Sequence, residues 1–143
     1  TLERIARALE TTQVSLMLAA KPAPRHLDSS SVPEGVQLIR SDEGAMLPQA
    51  GDRAGYARLL VGDGSAFYPQ EQVLNRRDYA EYFQHPQDEW VYVVAGEIEV
   101  DLGHRSFVGL RKGDSLYYAG GTPHRWRLVS PDAAHLIVVQ AAV

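Results

Sequence analysis

Two stretches of this sequence concentrate side chains able to hold a metal or move a proton. The first is His85-Pro86-Gln87-Asp88-Glu89, with Gly96 further on. The second is Gly113-Asp114, then Ala119-Gly120-Gly121-Thr122-Pro123-His124. Neutral imidazole nitrogen and carboxylate oxygen suit zinc, iron, nickel or manganese. The same groups also serve as plain interior residues, each imidazole hydrogen-bonded and the carboxylate paired with an Arg or Tyr. The chain has no cysteine, which excludes disulfides, thiolate zinc sites and cysteine nucleophiles.

Other candidates carry a weaker signal. Tyr92, Tyr117, Arg125 and Trp126 lie close in sequence to these stretches and could line a pocket, although aromatic rings in a β-domain more often fill its core. Glu97, Glu99 and Asp101 imitate a calcium site, but their alternation fits the solvated face of a strand better. His104 falls in a hairpin turn, His26 in a linker and His135 at the start of the last strand, so none belongs to a motif.

The elements that must position these residues are mostly short strands. The pattern predicts strands at Val36–Arg40, Tyr56–Val61, Trp90–Val94, Ile98–Leu102, Ser106–Leu110, Ser115–Tyr118, Arg125–Val129 and His135–Val139. Gly62-Asp63-Gly64, Ala95-Gly96, Gly103-His104, Lys112-Gly113-Asp114 and Gly120-Gly121 punctuate them. Many short strands separated by turn signals imply a sandwich or barrel. Glu97 to Leu102 alternates strictly, as a strand with one wet and one buried face should.

The opening differs. Residues Thr1–Ala20 read as helical, with Leu2, Ile5, Ala6 and Leu9 on one face and Glu3, Arg4, Arg7 and Glu10 on the other. Lys21-Pro22-Ala23-Pro24 cannot continue a helix, and residues 21–35 read as a linker. Residues 36–143 are then the β-domain. The chain starts at Thr1, inside the expected helix, and is read as a fragment of something longer.

Composition narrows the function. The 143 residues carry 45% hydrophobic and 22% charged side chains, ordinary for a globular domain with a full core. The formal net charge is -4, with the arginines scattered among 18 acids. A chain that grips a nucleic-acid backbone carries a clustered basic excess instead. No apolar run is long enough to span a bilayer and no signal-peptide pattern opens the chain, so a cytoplasmic location is expected and a membrane partner is not.

The two stretches together resemble the paired motifs of the cupin family, over roughly residues 55–140. His85, Glu89, Gly96, Gly113, Asp114, Gly121 and His124 all match the family pattern. The resemblance implies a mostly β fold, a cupin-type double-stranded β-helix (jelly-roll) barrel with a short helical segment at its N-terminus. It also implies a metal site formed by His85, Glu89 and His124, two imidazoles and a carboxylate with open positions for a ligand. Phe83 stands where the family's first metal-binding histidine belongs, Leu128 where its asparagine often does, and Ala119 replaces a common proline. A divalent metal (zinc, iron, nickel or manganese) and a metal-free pocket therefore both stand as readings.

Residues 1–20 resemble the last two helices of repressor-type (lambda-repressor-like) helix-turn-helix domains. That pairing implies a small-molecule sensing domain of a DNA-binding transcriptional regulator. The DNA contacts would come from upstream helix-turn-helix residues, the effector would sit in the barrel, and the partner would be a second copy in a homodimer. The alternative is a mononuclear iron oxygenase, similar in plan to hydroxypropylphosphonate epoxidase. No catalytic residue is assigned.

Overall fold

The computed structural model describes residues 4, 5, 8, 9, 32–47 and 55–142. The strands are β1 (Met46–Leu47), β2 (Gly55–Leu59), β3 (Phe67–Leu74), β4 (Glu89–Ala95), β5 (Glu97–Asp101), β6 (Phe107–Arg111), β7 (Ser115–Tyr118), β8 (Arg125–Leu128) and β9 (Ala134–Ala141). They form a six-stranded sheet ordered β1-β2-β3-β9-β4-β7 and a three-stranded sheet ordered β6-β5-β8. Every pairing is antiparallel. From β4 onward the chain passes repeatedly from one sheet to the other, which wraps it into the expected jelly-roll barrel.

One of these crossings explains a glycine. Between β4 and β5 the chain turns at Gly96, whose φ of +86° is a left-handed conformation that suits glycine. A Cβ there would also lie 2.8 Å from the Ala134 Cα. The tight turn lets β4 and β5 lie in different sheets while Ala134 closes over it.

Strand alternation builds the interior in layers. In the β4–β9 ladder, Glu89 is opposite Gln140, Val91 opposite Val138 and Val93 opposite Leu136. All six side chains are buried. Within this ladder polar lies beside polar and apolar beside apolar, so the buried polar residues of β4 and β9 sit together at one end. Ile98, Val100, Leu110, Leu128 and Ala134 complete the apolar part with Val91, Val93, Leu136 and Val138. Each fully buried Val or Leu stabilises the fold by about 1.5–3 kcal/mol, which anchors the strands that carry the polar end.

Two strand expectations need correction. Val36–Arg40 makes no ladder among the described residues: Val36 and Leu38 are about half exposed, at 54% and 49%. Gln37 instead ties this segment to a distant turn, accepting from the Gly62 N–H and donating to the Asp63 carbonyl. Conversely, Phe67–Leu74 is a full strand that the hydrophobic pattern hides. Pro69 and the polar run Gln70-Glu71-Gln72 look like a loop, yet Gln70 is 2% exposed and points inward. Pro69 lies just past the end of the β2 ladder, where its missing N–H costs little and its carbonyl accepts from Leu60.

Of the expected N-terminal helix, the Leu9 N–H donates to the Ile5 carbonyl, an α-helical bond. The rest of the expectation for residues 1–20, and residues 21–31 of the expected linker with His26, lie outside the described residues. No helix among the described residues is long and apolar enough to cross a membrane.

Candidate metal centre

The site begins with a docking of two turns. Asp88 Oδ1 accepts from the Gly120 N–H at 2.8 Å, and Asp88 Oδ2 accepts from the Tyr117 hydroxyl at 2.6 Å. The Gly121 N–H donates to the His85 carbonyl at 2.8 Å. These contacts press residues 85–88 onto residues 119–122 so closely that a Cβ at Gly120 would sit 1.9 Å from the Pro86 carbonyl oxygen. Phe83 and His124 pair backbone to backbone in both directions, at 2.8 and 2.9 Å. His85 and His124 are thereby held at the mouth of the strand that carries Glu89.

The three predicted residues come together. The ligand atoms of His85, Glu89 and His124 all lie within 4.8 Å of one another. His85 Nε2 is 3.3 Å from Glu89 Oε2, and His124 Nε2 is 3.6 Å from Glu89 Oε1. Glu89 and His124 are each 4% exposed. His85 Nδ1 meets the Gln87 carbonyl at 2.9 Å and His124 Nδ1 meets the Thr122 carbonyl at 3.0 Å. A carbonyl only accepts, so each Nδ1 carries a proton, and in the tautomer that a metal needs each Nε2 is the ligand atom facing Glu89.

Burial lowers the His124 imidazole below its ordinary value, against the pull of Glu89, and keeps it neutral at pH 7. Burial alone would raise the Glu89 carboxyl. The neighbouring His85 and His124 imidazoles and the Tyr118 hydroxyl outweigh it and hold Glu89 below the usual carboxylate range. Burial, with the Glu89 charge added, pushes the Tyr118 phenol well up, so it stays a proton donor to Glu89 Oε1.

Three donors this close are a set that could hold a metal. Ligand bonds of about 2.0–2.2 Å set neighbouring donor atoms about 3.0–3.5 Å apart. The two imidazoles lie 3.3 and 3.6 Å from different oxygens of Glu89, and the three donors lie within 4.8 Å, so a bound metal would draw them slightly together. Two imidazole nitrogens and one carboxylate match the donor set of non-haem iron sites, and suit zinc, nickel or manganese as well.

The remaining candidates separate by face. Trp126 is inside, its ring 6.4 Å from the His124 ring, and its buried indole N–H reaches no acceptor in bonding geometry although it lies beside the Tyr118 hydroxyl. Phe83 packs its ring parallel to His124 at 6.1 Å and stays 36% exposed. Leu128 is core. Tyr92 and Tyr117 do not line the interior: Tyr92 stacks on Trp90 and Tyr117 serves Asp88, both exposed. Arg125 also points away, because β8 alternates and Trp126 takes the inward position.

Arg125 instead pairs with Asp101 at 2.8 Å, and Arg127 with Glu99 at 2.8 Å. Tyr79 and Tyr82 add hydroxyl donors to Glu99 and Asp101. The expected solvated face is thus covered at one end: Asp101 is 1% exposed, whereas the Glu97 side chain stays 44% exposed. No calcium-like set forms there, since arginines and phenols occupy the carboxylates. A shallow groove of about 250 Å³, lined by residues including Glu97, Gly109 and Arg111, lies on that sheet away from the histidines. His104 is exposed in its turn, and His135 lies 3.3 Å from Glu71, outside the site.

Two interior residues escaped the sequence reading. Tyr118 and Gln140 bond the two oxygens of Glu89. The available signal was alternation: Leu136, Val138 and Gln140 share a face, so a glutamine continues a hydrocarbon stripe into the barrel.

Residues 71–140 match the family model described as Cupin domain. No curated protein matches the chain. Similar solved structures include the polyketide cyclase RemF from Streptomyces resistomycificus, with TM-score 0.61 and 16% identity over 74% of this chain and 79% of that one. The iron(II) structure of HppE is similar with TM-score 0.63 and 24% identity over 97% of this chain and 73% of that one. The Cupin_2 domain of an XRE family transcriptional regulator from Enterobacter cloacae gives TM-score 0.55 and 21% identity over 63% of this chain and 98% of that one. At these identities the likeness is one of fold.

Proposed function

Taking residues 71–140 as a cupin domain, we propose that His85, Glu89 and His124 hold a divalent metal in a barrel that binds a small molecule. In this reading the barrel is the sensing half of a DNA-binding transcriptional regulator. The observation that carries the metal site is the convergence of two imidazole Nε2 atoms and a carboxylate at one largely buried point. When bound, the metal supplies Lewis acidity and open coordination positions. An effector that favours one of two domain arrangements shifts their populations, and no catalysis is needed. The similarity to a regulator's cupin domain supports this use.

The domain is proposed to act as a homodimer in the cytoplasm. Tyr92, Val94 and Tyr117 on the outer face of the six-stranded sheet are 37%, 40% and 58% exposed, which leaves apolar surface for a second copy.

A second reading, an iron-dependent oxygenase, is favoured by one observation: the similarity to iron(II) HppE runs over 97% of this chain. Metal analysis of protein purified without a histidine tag tests both. We expect a divalent metal near one equivalent, lost in His124→Ala while the far-UV circular dichroism of the barrel is kept. Iron at full occupancy with oxygen uptake on adding a substrate selects the oxygenase. Metabolite binding without turnover selects the sensor, and a metal-free wild-type chain that refuses added metal refutes the metal site.

A further inference from the structure

We propose that Gln140 is the placeholder for the cation in the metal-free site and becomes a protein ligand once the cation is bound; the inference rests on the metal-site reading above. Three acceptor groups crowd together here: both Nδ1 atoms are committed to carbonyls, which leaves each Nε2 to accept, and both oxygens of Glu89 accept from side-chain donors. Without a cation, something must donate to them. The Tyr118 hydroxyl donates to Glu89 Oε1. The Gln140 amide nitrogen donates to Glu89 Oε2 at 2.7 Å and lies 3.2 Å from His85 Nε2.

An amide nitrogen has two hydrogens and no lone pair to offer. It can therefore serve a carboxylate and a bare imidazole nitrogen at once, as a small cation would. Using the nitrogen this way leaves the amide oxygen stranded: Gln140 Oε1 is buried with no hydrogen-bond partner. A glutamine kept only for packing would not maintain an orphaned acceptor beside an anionic site.

Rotation of the terminal amide resolves both facts. It exchanges nitrogen for oxygen beside Glu89 and His85, where an oxygen is repelled unless a cation lies among the acceptors. Each orientation is thus tied to one state of the site. No backbone movement is required, because Glu89 and Gln140 are direct partners across the β4–β9 ladder. The resulting set of two nitrogens and two oxygens suits zinc, iron(II) or manganese.

Cobalt(II) is the probe. Its affinity is measured by competition against a chromophoric chelator, and its visible d–d spectrum reports the ligand set, in wild type, Gln140→Leu and Gln140→Glu. We expect Gln140→Leu to bind about 10–100-fold more weakly with displaced bands, and Gln140→Glu, which keeps an oxygen, to recover the affinity. In wild type, which needs no variant to fold, the Gln140 side-chain amide resonances should shift on titration with zinc as their hydrogen bonds are lost. Unchanged affinity and spectrum in Gln140→Leu, with amide resonances unmoved by zinc, overturns the role of Gln140 and leaves the metal site standing. A wild-type chain that takes up neither cobalt nor zinc overturns both.

Discussion

At the scale of single residues, the site depends on positions that carry no chemistry as much as on those that do. Gly120 has no reactive group, yet the absence of its Cβ lets residues 85–88 lie on residues 119–122. Gly120→Ala should force that contact apart at a cost of about 1–3 kcal/mol, as overpacking does. Because His85 and His124 belong to the separated segments, metal affinity should fall with stability, whereas Gly113→Ala, with open space around its Cβ but a positive φ, should cost stability alone. Thermal melts paired with a metal titration distinguish the two. Equal metal affinity in Gly120→Ala and wild type would show that the docked turns do not set the site.

At the scale of elements, β5 and β8 are joined on their outer side by charge rather than by hydrocarbon. Asp101 receives Tyr82, Arg125 and the Gly103 N–H. Burial by itself would raise its carboxyl, but these donors hold it below the ordinary value of 3.8. A carboxylate depressed in the folded state adds stability that is present above its unfolded value and is lost as pH falls through the folded one. Stability from Asp101 should accordingly be constant from neutral pH down to about 5 and decline below about 4. Asp101→Asn should therefore show a lower Tm at pH 7 and a shallower fall in Tm between pH 5 and 3 than wild type. An identical acid slope in the two proteins would remove Asp101 from the acid transition.

At the scale of the whole molecule, the chain combines a formal net charge of -4 with an apolar outer sheet face. The acidic balance opposes attachment to nucleic acid, since phosphate contacts need Lys and Arg. The exposed aromatic and aliphatic residues of β4 and β7 offer burial to a second copy, and closed twofold pairing is the commonest way to use such a face. Light scattering should give twice the monomer mass, and Tyr92→Glu with Val94→Glu should reduce it to the monomer while leaving metal uptake intact. A monomer at high concentration in wild type would sink the dimer.

Strand periodicity and turn residues made most of the barrel legible, because alternation is a local property of the chain. The same holds for His85, Glu89 and His124, which sit in two stretches whose residue types and order match a family pattern. What remained hidden depends on register. β3 is inward-facing through Gln70, and no local rule marks a glutamine as interior. Arg125 and Trp126 are neighbours in sequence, and only the pairing of β8 with β5 decides that tryptophan enters the barrel while arginine meets Asp101 outside. Gln140 lies 51 residues from Glu89 in sequence and becomes its partner solely through the β4–β9 ladder. The sequence by itself determined most of the strands and which side chains could bind a metal. The tertiary structure decided which faces turn inward and which distant donors complete the site, because a one-residue change of register reverses every side chain on a strand.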